Sequence, residues 1–171
     1  MSESAVDPDL RAAFRNAVFS TWVICAADGP RPVGFTAISV VSVSVEPPLV
    51  SFNLSRTSSS RPTIERTGRI SLHLLADHQD HLARRFAGDR RARFASSDHW
   101  HWHPDGLPGL RDVAVRLTAE VAGSFDAGDS LVITARVTDQ QRGQGNPLLH
   151  HAGTYRALDH TPSLVLQEES A

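Results

Sequence analysis

Hydrophobic and polar positions alternate with a period of two over much of this chain, which predicts a molecule built mainly of β-strands. Val41, Val43 and Val45 alternate with Ser42 and Ser44. Val113, Val115, Leu117 and Val121 keep the same spacing. The predicted strands cover 21–27, 31–37, 39–45, 49–54, 69–75, 113–121, 130–137 and 148–158. Asp28-Gly29-Pro30 and Asp126-Ala127-Gly128-Asp129 supply turn signals between them. Pro47-Pro48 has no ladder donors, so the sheet must break or begin an edge there. Helical spacing replaces the alternation in three places. Leu10, Ala13, Phe14, Ala17 and Val18 follow Asp7 as cap and Pro8 in the first turn. A short helix is expected from Pro62 to a C-terminal Gly68, and another from a cap at Asp77 through Phe86, ending near Gly88. Residues 88–112 and 140–146 read as loops, the first long enough and aromatic enough to suggest a lid. Residues 1–8 and the tail from Asp159 are expected to be loosely ordered.

Strands that follow one another without helical crossovers argue against a doubly wound parallel sheet. The expectation is an all-β chain with a few short helices, a mostly antiparallel barrel in one domain of 171 residues. The net charge of −2 argues against a nucleic-acid binder. Cys25 is the single cysteine, so no intrachain disulfide can form, and its apolar surroundings predict an inert buried thiol. No apolar run reaches the about 18 residues of a membrane span. The first residues lack the basic and apolar regions of a signal peptide, so a cytoplasmic location is expected.

The segment GFTAISVVSVSVEPPLVSFNLSRTSSS, residues 34–60, carries the most chemistry. Small side chains let a flat ligand approach the backbone, and the hydroxyl-rich end offers several donors to a phosphate. A planar, phosphorylated cofactor fits both halves; an ordinary strand followed by a polar loop has the same composition. His99, His101 and His103 alternate with Trp100 and Trp102. On a strand the three imidazoles share one face and suit a divalent metal, but the surrounding residues read as loop, and no metal is assigned. No Ser-His-Asp set can be singled out, so a hydrolase is unsupported.

Five pieces, in order, resemble the flavin reductase-like proteins, whose fold is the FMN-binding split barrel. They are FRNAVFSTWVICAADG, GFTAISVVSVSVEPPLVSFNL, HLARRFAGD, DAGDSLVITARV and PLLHHAGTYR, covering roughly residues 12–157. The resemblance implies a homodimer of Greek-key split barrels that binds FMN or FAD. It implies electron transfer from NADH or NADPH to the flavin, and delivery of reduced flavin to a partner monooxygenase. No nucleic-acid or membrane partner is implied. Carried over by position, Thr36, Ala37, Ile38 and Ser39 match the ring-contacting segment, and Asn53, Leu54 and Ser55 the next one. Ser59 and Ser60, after Ser58, fall at the phosphate loop, where a plain helix cap explains one serine equally well. Arg85 and Phe86 match the ARRFA-like piece; Arg85 faces a phosphate or only water, and Phe86 also suits a core position. Arg90, Arg91 and Arg93 carry the same two readings. His151 and Tyr155 fall on the last motif, near flavin or nicotinamide, with His151 as the catalytic candidate and a surface histidine as the other reading. His150 stands where the family usually has an aromatic residue.

Two departures matter. Ile38 replaces the first of two serines, and Ser130 replaces the His of a Gly-Asp-His turn beside the nicotinamide site. The second puts fast reduction by NAD(P)H in doubt more than flavin binding. The competing function is therefore a flavin- or haem-binding barrel without reductase activity, a carrier or scaffold.

Overall fold

The structure is a computed structural model and describes residues 9–158. Helix α1 (Leu10–Phe14) is capped by Asp9, whose carboxylate accepts from Ala12 N–H. The cap expected at Asp7 and Pro8, and the tail from Asp159, lie outside the described residues. The helix stops before Ala17 and Val18, because Val18 opens a strand, and none of its residues is buried. Then come β1 (Val18–Ser20), β2 (Trp22–Asp28), β3 (Arg31–Ala37), β4 (Val41–Ser44) and β5 (Leu49–Ser55). Helix α2 (Arg61–Thr67) ends on Gly68 at φ 63°, the left-handed residue expected there. Strand β6 (Arg69–Leu74) leads to α3 (Asp80–Ala87), β7 (Trp100–Trp102), β8 (Pro108–Leu110), β9 (Val115–Ala127), β10 (Ser130–Arg142), β11 (Leu149–His151) and β12 (Thr154–Arg156).

Seven strands form an antiparallel sheet in the order β3-β2-β6-β9-β10-β5-β4. Ile24 and Ala26 of β2, Phe52 and Leu54 of β5, Leu72 of β6 and Ile133 of β10 meet in one cluster with Ile64 of α2. Strands from both ends of the order share this core, so the sheet must coil around it. A second core lies on the outer face. Val23 and Cys25 of β2 pack there against Leu82, Ala83 and Phe86 of α3, with Leu110, Val113 and Leu148. Strand β2 is thus covered on both faces, which is why its sequence is a continuous apolar run. Cys25 is fully buried and free, and burial pushes its thiol pKa up, as its surroundings predicted.

Several boundaries differ from the sequence reading. The described residues hold twelve strands rather than seven or eight. Helix α3 starts at Asp80 behind Gln79, because Asp77 is held in a turn by its N–H bond to the Asn146 carbonyl. Residues 140–142 extend β10 opposite β9, and 148–158 divides into β11 and β12 around Ala152-Gly153, both at positive φ. The 88–112 segment is not one loop but contains the β7–β8 hairpin, seated on the outer face of the sheet. Trp100 packs edge-on against Phe94 at 5.1 Å, and Phe94 against Phe86 at 5.1 Å. Asp105 ties the hairpin down through Arg116 of β9 at 2.7 Å, Thr118 Oγ1 at 3.1 Å and His103 Nδ1 at 3.0 Å. The lid expected there is therefore fastened to the sheet.

Beneath it His73 of β6 is fully buried, its Nδ1 bonded to the Val23 carbonyl at 3.1 Å. Burial drives the His73 pKa from 6.5 down to about 3. Burial raises the Asp105 carboxyl, but hydrogen bonds from Arg116, Leu107 N–H and Thr118 prevail and hold it at about 2. For both groups the unfolded chain binds the proton first, so each favours folding above its unfolded pKa and loses that contribution as the pH falls. Stability should decline from pH 6.5 towards 3 on account of His73, and from 3.8 towards 2 on account of Asp105. His73→Gln should flatten the first part of that decline in thermal melts across the range; an unchanged slope would remove His73 as its source.

Candidate functional site

Two concavities border the exposed edge of β3. The larger is a groove of about 750 Å³, lined by Ile38, Ser39, Asn53 and His150, with Phe19 and the α1 residues Phe14 and Arg15 along its wall. The sequence places a small polar residue at Ser39 where the chain leaves β3, and its Oγ accepts the Asn53 N–H at 2.9 Å. That bond joins the end of β3 to β5 across the floor of the groove. Outward residues of β5, such as Asn53 and Ser55, are exposed because the strand alternates and its other face holds Phe52 and Leu54 in the core.

The smaller concavity is about 170 Å³, lined by Pro32, Val33, Gly34, Ser59, Ser60, Arg90, Arg93 and Phe94. Arg93 crosses its wall, donating from Nη1 to the Gly34 carbonyl at 2.6 Å and from Nη2 to the Gly88 carbonyl at 2.9 Å. Burial lowers the Arg93 pKa, Asp89 opposing the shift. Its Nε has no partner among the described residues, and neither does Ser60 Oγ, although Ser60 is fully buried. Two orphaned polar groups in one small cavity are costly unless something polar completes them. A tetrahedral oxyanion is of the right size and offers acceptors to both. Glycine at 34 suits the packing, since a Cβ there would lie only 3.0 Å from Cys25 Sγ and 3.0 Å from Phe86 Cε1 and would press on both.

The site residues expected from the sequence divide accordingly. Ile38, Ser39 and Asn53 line the groove, and Ser59 and Ser60 line the small pocket. Thr36 commits its hydroxyl to the Ala83 carbonyl of α3 at 2.6 Å, so that hydroxyl holds the helix instead of meeting a ring. Ala37 and Leu54 are core side chains that leave only backbone to a ligand, and Phe86 is buried under α3. Ser55 Oγ pairs with Thr57 Oγ1 at 3.0 Å at the entry to the loop. Arg85 is half-buried on α3 and lines neither concavity; Arg90 and Arg93 occupy the place expected for it. Tyr155 packs against the outer core, with the Arg84 guanidinium 5.2 Å above its ring and the His150 ring 5.5 Å away. The imidazole that lines the groove is His150; His151 follows it on β11 opposite Val18. The groove-lining face of α1 was not singled out in the sequence, where its apolar residues show only helical spacing, as on a face turned to a core. Phe14 is instead 60% exposed. Ser130 opens β10 opposite Ser55 and bonds Asp129 Oδ1 at 3.0 Å. His101 and His103 share a face at 6.2 Å, whereas His99 turns to His81 of α3 at 5.3 Å. No group of three metal-binding side chains forms among the described residues.

Comparison with known proteins agrees with this geometry. The family model described as flavin reductase like domain matches residues 15–159. An NADH:FMN oxidoreductase of Rhodococcus qingshengii is 38% identical, over 86% of this chain and 79% of its own. The reductase subunit HsaB of a flavin-dependent monooxygenase from Rhodococcus jostii is 30% identical, over 93% of this chain and 82% of its own. Among solved structures, a flavin reductase domain protein from Arthrobacter sp. FB24 superposes with a TM-score of 0.81 at 36% identity, covering 89% of this chain and 97% of that one.

If the Ser60 hydroxyl has no protein partner, removing it should not weaken the fold. Ser60→Ala is expected to leave stability within about 1 kcal/mol of the parent or to raise it, read from urea unfolding without added ligand. A loss well beyond that would show that the hydroxyl is bonded within the protein.

Proposed function

The chain belongs to the flavin reductase-like family, and from that premise we propose that it is an NADH:flavin oxidoreductase that reduces FMN and releases it to a flavin-dependent monooxygenase. The observation that carries the reading is the small pocket in which buried Ser60 Oγ and Arg93 Nε lack partners among the described residues. A flavin phosphate fits it, with Ser59, Ser60 and Arg90 as further donors. The larger groove has the volume of a cofactor site and offers backbone at Ile38 and Ser39 beside small or flat side chains.

A bound flavin supplies the hydride-accepting ring, and the protein's part is to bind, orient and shield it. Ser39 and Asn53 hold the groove floor through their mutual hydrogen bond. Thr36 fixes α3, and with it the chain that carries Arg90 and Arg93, against β3. His150 presents an imidazole at the groove wall, and His151 remains the family-derived candidate on the nicotinamide side. The names of the relatives favour NADH as donor and FMN as acceptor. A homodimer is part of the same reading. Edge strand β4 and the turn after it expose Val41, Val43 and Val45 to 55%, 54% and 88%, an apolar stripe suited to a second copy.

NADH oxidation followed by absorbance with added FMN tests the activity; no turnover with either nicotinamide would leave only a carrier or scaffold. Arg90→Ala should weaken FMN binding about tenfold, the scale of one charge-assisted hydrogen bond, while riboflavin binding, which involves no phosphate, stays unchanged. Equal losses for both ligands would place the phosphate elsewhere. Ser130→His should raise turnover at saturating FMN if the nicotinamide site is otherwise intact. An unchanged rate would show that the family's histidine role does not extend to this position.

A further inference from the structure

Two sequence features play no part in the flavin site, the His-Trp alternation of residues 99–103 and the QQRGQGN segment of residues 140–146. The fold brings them together on the outer face of the sheet, around a cavity of about 660 Å³. Its working walls are His101 and His103 from the β7 hairpin, Arg116 from β9, Gln141 and Arg142 from the end of β10, and His78 ahead of α3. Leu110, Asp112 and Val113 complete the wall with the Gly143-Gln144-Gly145 turn, whose two glycines carry no side chain. Gly143 is obligatory there, because a Cβ would fall 2.0 Å from the Val113 carbonyl oxygen, and its N–H bonds the Ala114 carbonyl at 2.9 Å.

The polar groups in this wall are not used up by the fold. Arg116 is 5% exposed; Nη1 donates to Thr118 Oγ1 at 3.0 Å and Nη2 to Asp105 Oδ2 at 2.7 Å, yet Nε has no partner among the described residues. His101 Nδ1 is likewise buried without one. His103 is held at both ring nitrogens, Nδ1 3.0 Å from the Asp105 carboxylate and Nε2 3.2 Å from the Gln141 amide. Arg142 forms no ion pair among the described residues, and Asp112 is the single carboxylate in the lining. Asp105 is already committed to Arg116, Thr118 and His103. The His101 pKa is lowered first by burial and then by the neighbouring Arg111, His103 and Arg116.

We propose that this cavity is a second ligand site, distinct from the flavin groove, for a small molecule bearing a phosphate or carboxylate group. Arg116, Arg142 and His101 supply its donors, and the glycine-walled loop leaves room for the rest of the ligand. Two guanidinium groups beside a half-buried imidazole match the recognition chemistry of an oxyanion, and the volume exceeds that of a bare phosphate. The site does not depend on flavin reductase activity.

The test uses the full chain, with and without FMN, in NMR titrations that follow the imidazole protons of His101 and His103. Inorganic phosphate and succinate are the probes, with chloride at matched ionic strength as control. A saturable shift with phosphate alone supports a phosphate ligand, and one with succinate alone a carboxylate. Arg142→Ala should weaken binding about tenfold, one charge-assisted contact, and His101→Asn should weaken it as well, read at His103. Arg90→Ala, at the flavin pocket, should leave it unchanged, which keeps this outcome separate from the fate of the reductase reading. No saturable shift beyond chloride with either probe overturns the proposal. So does a shift that survives both Arg142→Ala and His101→Asn.

Discussion

The structure depends on the burial of β2 (Trp22–Asp28) on both of its faces. Ile24 and Ala26 face the core inside the coiled sheet, and Val23 and Cys25 face the core under α3. A strand covered twice removes more apolar surface from water per residue than a half-exposed one. It also couples the two cores, since any shift of β2 disturbs packing on both sides. Gly34 extends this constraint to β3. Without a Cβ there, Phe86 and Cys25 meet the strand at van der Waals distance, and α3 lies close enough to accept the Thr36 hydroxyl.

The site proposed for a flavin follows from that arrangement. Among the described residues the outer edge of β3 is not paired with another strand, and the small pocket lies against it. The segment after α3 returns across the same edge, and Arg93 binds the Gly34 carbonyl. The small pocket is therefore assembled by three separated pieces of chain: β3, the serine loop before α2 and the arginine-rich segment after α3. Its buried hydroxyl and guanidinium nitrogen lack partners among the described residues, which is the observation behind the proposed phosphate contact.

The opposite face of the sheet uses charge to hold a hairpin. Asp105 draws Arg116, Thr118 and His103 onto one carboxylate, and His73 sits uncharged beneath them. Breaking such a buried pair on one side only would strand a charge in a poorly solvated place. The hairpin that looked like a mobile aromatic cover is thereby an integral part of the wall of a second cavity.

The period-two alternation, with the continuous apolar run of β2, located the strands of the seven-stranded sheet, and the ordered motifs determined the family, because both are written in local residue choice. Helix α2 with its Gly68 stop and the Asp126–Asp129 turn were legible for the same reason. Ile38, Ser39, Asn53, Ser59 and Ser60, singled out together because they lie in one continuous motif, line the two concavities. What tertiary structure decided was the direction each side chain faces and the company it keeps. Thr36 gave its hydroxyl to a helix, Phe86 went to the core, and Arg90 and Arg93 took the position expected of Arg85. His150 lined the groove beside His151, and the 88–112 segment folded back as a hairpin. Those outcomes depend on contacts between residues far apart in the chain, such as Gly34 with Arg93 or Thr36 with Ala83, and no local pattern encodes a partner that distant.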